Sequence, residues 1–173
     1  MSKQCHQGLH REGPGVNIIG IDPGPTQSAA VVMCTALAMP IVDMVQEPNE
    51  KFLAIMREYR EKLAPDIVAI EDVTYYGLSV GRDVFDTLKI IGRLQEMFDG
   101  KHRLVSYPDI AVHFCGQRGG VKTSNINQVL ISRLGPKGTK KAPGILYGIR
   151  EHVWSALAVA QYWIENNKPK EAL

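Results

Sequence analysis

Cysteine is scarce in this chain: its 173 residues include three, Cys5, Cys34 and Cys115. The number is odd, the three lie far apart, and no pair has zinc-site spacing. This argues against a disulfide framework and against a structural zinc. Aromatic residues are also few, at 7%. No apolar run reaches the roughly 18 residues that a membrane span requires. Met1–Gly15 is polar, carries Gly13-Pro14-Gly15, and lacks the apolar centre of a secretion signal. The expectation is a disordered lead-in over 1–15, one domain over 16–166 and a flexible tail over 167–173. The expected location is a reducing cytoplasm, with no membrane partner.

Apolar residues make up 45% of the chain and charged residues 22%, as in an ordinary globular domain with a proper core. The net charge of +2 hides an uneven spread. Residues 101–150 carry nine Lys or Arg against one acid, Asp109, whereas residues 51–100 carry seven against nine acids. A basic half points to a polyanionic partner, although solvated surface charge would have the same composition.

The stretch Asn17-Ile18-Ile19-Gly20-Ile21-Asp22-Pro23-Gly24 organises the rest. Its apolar residues suit a buried strand, Val16–Asp22, and Pro23-Gly24-Pro25 forces a turn. Strands are expected over Gln27–Thr35 and Ile41–Gln46, then a helix over Glu50–Leu63. Ile67-Val68-Ala69-Ile70 is wholly apolar, as in a central strand covered on both faces, and ends on Glu71 and Asp72. A helix over Arg82–Phe98 lines up Val84, Leu88, Ile91, Leu94 and Phe98, leaving Phe85, Ile90 and Met97 as spare apolar positions. A strand over Arg103–Tyr107 closes at Pro108, and Ile110–Phe114 reads equally as helix or strand. Helices over Ser124–Leu134 and Ile149–Glu165 flank a loop rich in Gly, Pro and Lys. This order fits a single mixed five-stranded sheet flanked by helices, an α/β fold.

Asp22 and Glu71 each stand at the C-terminal end of an apolar strand, which is where α/β sheets build their sites. If the strands are neighbours, the two anions repel unless a cation lies between them, and Mg2+ takes such oxygen ligands. The last helix offers Glu151, His152 and Ser155 as further donors, with His152 and Ser155 on one face. Taken singly, each residue also has an ordinary structural reading. Asp22 would be a turn acid, Asp72 a solvated acid, His152 a surface imidazole and Ser155 a small helix residue.

The Ile-Gly-Ile-Asp-Pro-Gly strand, the Ile-Val-Ala-Ile-Glu strand and the final His-x-x-x-Ala-Leu-Ala-Val-Ala helix resemble RuvC-type Holliday-junction resolvases. That family has the RNase H-like fold. The forms Ile-Asp-Pro-Gly-Pro-Thr-Gln-Ser-Ala and Gly-Ile-Leu-Tyr-Gly…Trp-Ser-Ala-Leu-Ala-Val-Ala resemble its phage and prophage branch most. The likeness spans Asn17 to Trp163.

The resemblance implies a structure-selective endonuclease that cuts four-way or other branched DNA as a homodimer. It implies two Mg2+ ions, with Mn2+ able to substitute, held by Asp22, Glu71 and His152. One ion would activate the attacking water and the other would stabilise the leaving 3′-oxygen. Ser155 stands where the typical resolvase has Asp, and Glu151 is the alternative donor. Lys122, after Gly119-Gly120, matches a family lysine ahead of a helix beyond strand 5, which contacts phosphate or a developing charge, so the resemblance counts it as catalytic with Asp22, Glu71 and His152. Arg118, Lys137, Lys140 and Lys141 are candidate backbone contacts, and Tyr75 and Tyr76 candidate base-stacking residues.

A protein that binds branched DNA without cutting it is the alternative, with Ser155 as the mark of lost catalysis. A third reading takes Gly20–Gly24 as the phosphate loop of a sugar-kinase or actin-like ATPase. That fold needs two such domains, for which 173 residues are too few.

Overall fold

The computed structural model describes residues 15–38, 40–75, 77 and 79–167. Tyr76, most of the expected lead-in and all but the first residue of the expected tail lie outside them. The elements are β1 (Asn17–Asp22), β2 (Gln27–Cys34), β3 (Ile41–Pro48), α1 (Asn49–Lys62) and β4 (Ile67–Asp72). After these come α2 (Arg82–Met97), β5 (His102–Ser106), α3 (Tyr107–Cys115), α4 (Thr123–Leu134) and α5 (Val153–Asn166). The strands form one five-stranded sheet in the order β3-β2-β1-β4-β5. β1, β2 and β3 are antiparallel, while β1, β4 and β5 are parallel. The mixed sheet flanked by helices is thus the one expected.

β1 and β4 are central because both of their faces are covered. Ile18, Ile19, Ile21, Val68, Ala69 and Ile70 have no exposed surface. Alternation divides them between two cores. Ile18 and Ala69 pack toward α3, α4 and α5, whereas Ile19, Ile21, Val68 and Ile70 pack toward α1 and α2. Continuing the period of two puts Gly20, Asp22 and Glu71 on the α5 side. A Cβ at Gly20 would stand 2.3 Å from the Ala156 carbonyl oxygen and 2.6 Å from the Ala160 Cβ. Glycine there lets α5 lie directly on β1 and brings its first turn over the strand end.

Three expectations need correction. In α2 the buried residues are Thr87, Ile90, Ile91 and Leu94, while Leu88 is 43% and Phe85 56% exposed. Ile90 and Met97 serve the core instead of an outer face, because this helix has more apolar positions than one stripe needs and packing against α1 and the sheet selects among them. Pro108 opens a helix where a strand closure was expected. The Ser106 hydroxyl caps it by accepting from the Asp109 amide at 3.3 Å, and proline in the first turn lacks only an amide that the helix does not use. The ambiguous segment 110–114 is therefore helical and ends at left-handed Gly116, φ 70°. Finally, α5 starts at Val153, four residues later than expected, and Glu151 before it has φ 45°. Glu151 therefore precedes the helix, where it was expected to be one of the helix's donors.

Candidate functional site

The parallel register sets Ile21 beside Ile70, so Asp22 and Glu71 end neighbouring strands on the same face. The first turn of α5 completes the group. His152 Nδ1 lies 3.0 Å from Asp22 Oδ2, and the Ser155 hydroxyl stands near enough to Asp22 to lower its carboxyl. The Asp22 side chain is 15% exposed and that of His152 54%, so the imidazole forms the solvent edge.

The negative charge here is only partly balanced within the protein. Burial raises the Asp22 carboxyl above its usual value, and the hydrogen bond and charge of His152, then the Ser155 hydroxyl, pull it part of the way back. Glu71 is pushed up to about 8, first by burial and second by the Asp22 charge, and no basic side chain among the described residues offsets either effect. Two partly buried carboxyls side by side are what a hard divalent cation relieves. Among the described residues, no three His, Cys, Asp or Glu side chains stand together as a ready cage. Two carboxylates suffice for Mg2+, which keeps several of its waters, so the residues present fit that ion.

A cavity of about 300 Å3 opens beside the acids, lined by Asp22, Glu71, Asp72, Thr74, Thr87 and Tyr107 among others. The Thr74 hydroxyl is buried there without a partner among the described residues. The Thr87 hydroxyl donates to the Asp83 carbonyl at 2.8 Å, and the Tyr107 hydroxyl donates to the Val121 carbonyl at 2.9 Å. Tyr107 thereby ties the cavity wall to the segment that leads into Lys122, which is exposed at the N-cap of α4.

The remaining candidates do not gather at the acids. The Glu151 carboxylate accepts from Gln46 Nε2 on β3 at 2.7 Å. Arg118 Nη2 pairs with Asp109 at 3.3 Å. Lys137 Nζ sits 4.7 Å over the Trp154 ring, which anchors its loop to α5. Lys140 and Lys141 are exposed near the tip of that loop, where Gly138 and Pro143 form a bridge. Tyr75 is 72% exposed. Cys34 is buried and Cys115 half-buried, both as free thiols.

Sequence reasoning missed Gln46, Thr74, Thr87 and Tyr107. Gln46 pairs with Ala29, and Ala29 with Asp22, so all three share one row across the sheet. Strand periodicity carries that information only once the pairing is known.

No family model matches the chain, and no curated protein matches it by sequence. Solved structures do match. One is described as "Thermus thermophilus RuvC structure", with a TM-score of 0.63 and 15% identity, covering 87% of this chain and 96% of the other. Another, "T. thermophilus RuvC in complex with Holliday junction substrate", gives 0.63 and 14%, covering 88% and 96%. The fold is therefore RuvC-like, of the RNase H-like type.

Proposed function

We propose that the chain is a metal-dependent endonuclease acting on branched DNA, with four-way junctions as substrate, and most like the phage and prophage resolvases. The observation that carries this reading is the pair Asp22 and Glu71, partly buried side by side at parallel strand ends with only the His152 imidazole to offset their charge, on a RuvC-like fold. One structural neighbour is a RuvC bound to a Holliday junction substrate, which supports the choice of substrate.

Asp22, Glu71 and His152 would hold Mg2+ or Mn2+, two ions per site. Such ions supply Lewis-acid stabilisation of the phosphate and a more acidic water. The other work falls to side chains. Asp22 accepts from His152 Nδ1, which fixes the tautomer and leaves the Nε2 lone pair for a ligand. Ser155 orients the Asp22 carboxylate. Lys122, Lys140, Lys141 and Arg118 contact phosphates and position the DNA without reading its sequence. A four-way junction has two-fold symmetry, so the active form is a homodimer, joined through the exposed Phe85 and Leu88 side of α2. Residues 16–166 act as one nuclease domain.

The test is a labelled four-way junction incubated with the full chain with and without Mg2+ or Mn2+. Symmetric nicks bearing 5′-phosphate and 3′-hydroxyl, formed only with metal, are expected. Tight binding with no cutting in either metal would identify a non-catalytic branched-DNA-binding protein instead. The lack of a third acid at Ser155 is the feature that favours that reading.

A further inference from the structure

Glu151 combines two features that an exposed glutamate has no need of. Its backbone is left-handed, φ 45°, a conformation that L side chains adopt rarely. Its carboxylate is held across the sheet edge by Gln46 Nε2 at 2.7 Å. Gln46 is itself in an awkward position: its Oε1 is buried and has no hydrogen-bond partner among the described residues. Buried carbonyl oxygens are nearly always paired, so a strained residue and an orphaned acceptor joined by one hydrogen bond call for a reason.

The reason lies next along the chain. His152 follows Glu151 directly, serves as the N-cap of α5 without capping it by its side chain, and turns Nδ1 to Asp22. The left-handed residue sets the angle at which the chain runs into α5, and this angle places the imidazole over the acid. Gln46 lies in the same sheet row as Asp22, with Ala29 between them, so the strut and the acid rise from one rigid base.

We propose that Gln46 and Glu151 form a positioning strut that fixes His152 on Asp22, with Glu151 acting as a brace and not as a metal ligand. The inference rests on the metal-site reading above for its consequence, although the strut itself is a property of the metal-free protein.

Two readouts on the full chain test it. The first is long-range 1H–15N spectra of the metal-free protein, which report whether His152 holds one tautomer. The second is Mn2+ affinity by electron paramagnetic resonance, together with Tm. Gln46→Ala should let the His152 tautomers average and weaken Mn2+ binding about tenfold, as loss of a supporting partner does at metal sites. Glu151→Gln still offers an acceptor to Gln46 and should keep both the tautomer and the Mn2+ affinity within about twofold. Glu151→Gly removes the left-handed strain, so its Tm should rise while the tautomer is lost; a purely structural role would not split the two in this way.

A fixed His152 tautomer and unchanged Mn2+ affinity in Gln46→Ala would overturn the strut. Loss of Mn2+ in Glu151→Gln as complete as in Asp22→Asn would make Glu151 a ligand and overturn it too. Absence of Mn2+ binding by the wild type would defeat the metal-site reading, and the His152 spectra alone would then decide the strut.

Discussion

Helix α5 meets a carboxylate–imidazole contact at each end, and the two are opposite in character. Near its C-terminus Glu165 receives His113 Nε2 at 2.6 Å, Gln161 Nε2 at 2.8 Å and the Arg133 guanidinium, which also lies 5.0 Å over the Phe114 ring. Asn166 Nδ2 reaches the other ring nitrogen of His113 at 3.3 Å. Burial raises the Glu165 carboxyl, but the bonds from Gln161, His113 and Arg133 and the Arg133 charge outweigh it, and the group ends below its usual value. At the N-terminal end Asp22 has one imidazole and one hydroxyl, Glu71 is pushed up to about 8, and both acids end above their usual values. One cluster closes its own charge and ties α3, α4 and α5 together. The other leaves charge open beside a cavity, and incompletely compensated acids of that kind belong to sites that recruit a ligand.

Mutation should separate the two clusters most sharply at the acids. Asp22→Asn or Glu71→Gln removes the carboxylate charge proposed to hold the metal, at nearly constant volume. Junction cleavage should fall on the order of 10³-fold, about 4 kcal/mol of barrier, while gel-shift affinity for the junction stays near wild type. Near wild-type cutting by either variant would mean that the site is misplaced.

The opposite cluster should respond in stability instead of rate. Glu165→Ala leaves Arg133 and His113 without their shared carboxylate in a half-buried setting, at a cost of about 2 kcal/mol in urea unfolding. The cleavage rate under folding conditions should not change.

The two ends should also carry opposite pH slopes. Glu71 has a folded value of about 8 against an ordinary 4.5, so the folded metal-free protein binds that proton more tightly than the unfolded chain. Its contribution is most favourable below about pH 4.5 and is lost as pH rises to about 8. Glu165, shifted down, contributes stability that is present above about pH 4.5 and lost as pH falls through its folded value. Chelator-treated wild type should therefore lose Tm between about pH 5 and 8 relative to Glu71→Gln. Stabilisation by added Mg2+ should grow through the same window.

Smaller effects are expected around the edge of the site. Ser155→Asp puts a carboxylate where a neutral hydroxyl now meets Asp22, and should lower the Mg2+ concentration for half-maximal cutting severalfold. It should also reduce the preference for Mn2+, which accepts imidazole more readily than Mg2+ does. An unchanged metal requirement would show that residue 155 does not act on the ion.

The weakest changes should come from the lysine loop. Replacing Lys140 and Lys141 together by Ala should flatten the log–log salt dependence of DNA binding by about 0.9 for each phosphate no longer neutralised. Lys137→Ala should leave the slope alone and cost about 0.5–1 kcal/mol through Trp154, because that ammonium is already engaged.

Legibility followed the range of the interactions. β1 and β4 were plain because covered parallel strands need unbroken apolar runs, and Asp22 and Glu71 stood out as acids ending them. The start of α3 was legible in principle, since Ser106 and Pro108 are a helix-start signal, but a proline directly after an apolar run signals a strand stop equally well. The inward face of α2 was not legible: Phe85, Leu88, Ile90 and Ile91 are all apolar, and only contact with α1 and the sheet distinguishes them.

The sequence by itself determined the order of the elements apart from α3, the two acids at strand ends, and the basic character of residues 101–150. Those follow from local periodicity and composition. Only the tertiary structure decided that Asp22 and Glu71 are neighbours, that Gly20 lets α5 settle on β1, and that Glu151 turns away to Gln46, 105 positions earlier. Strand pairing and the approach of the chain into α5 depend on contacts between distant segments, and no local pattern of side chains encodes which strand lies beside which.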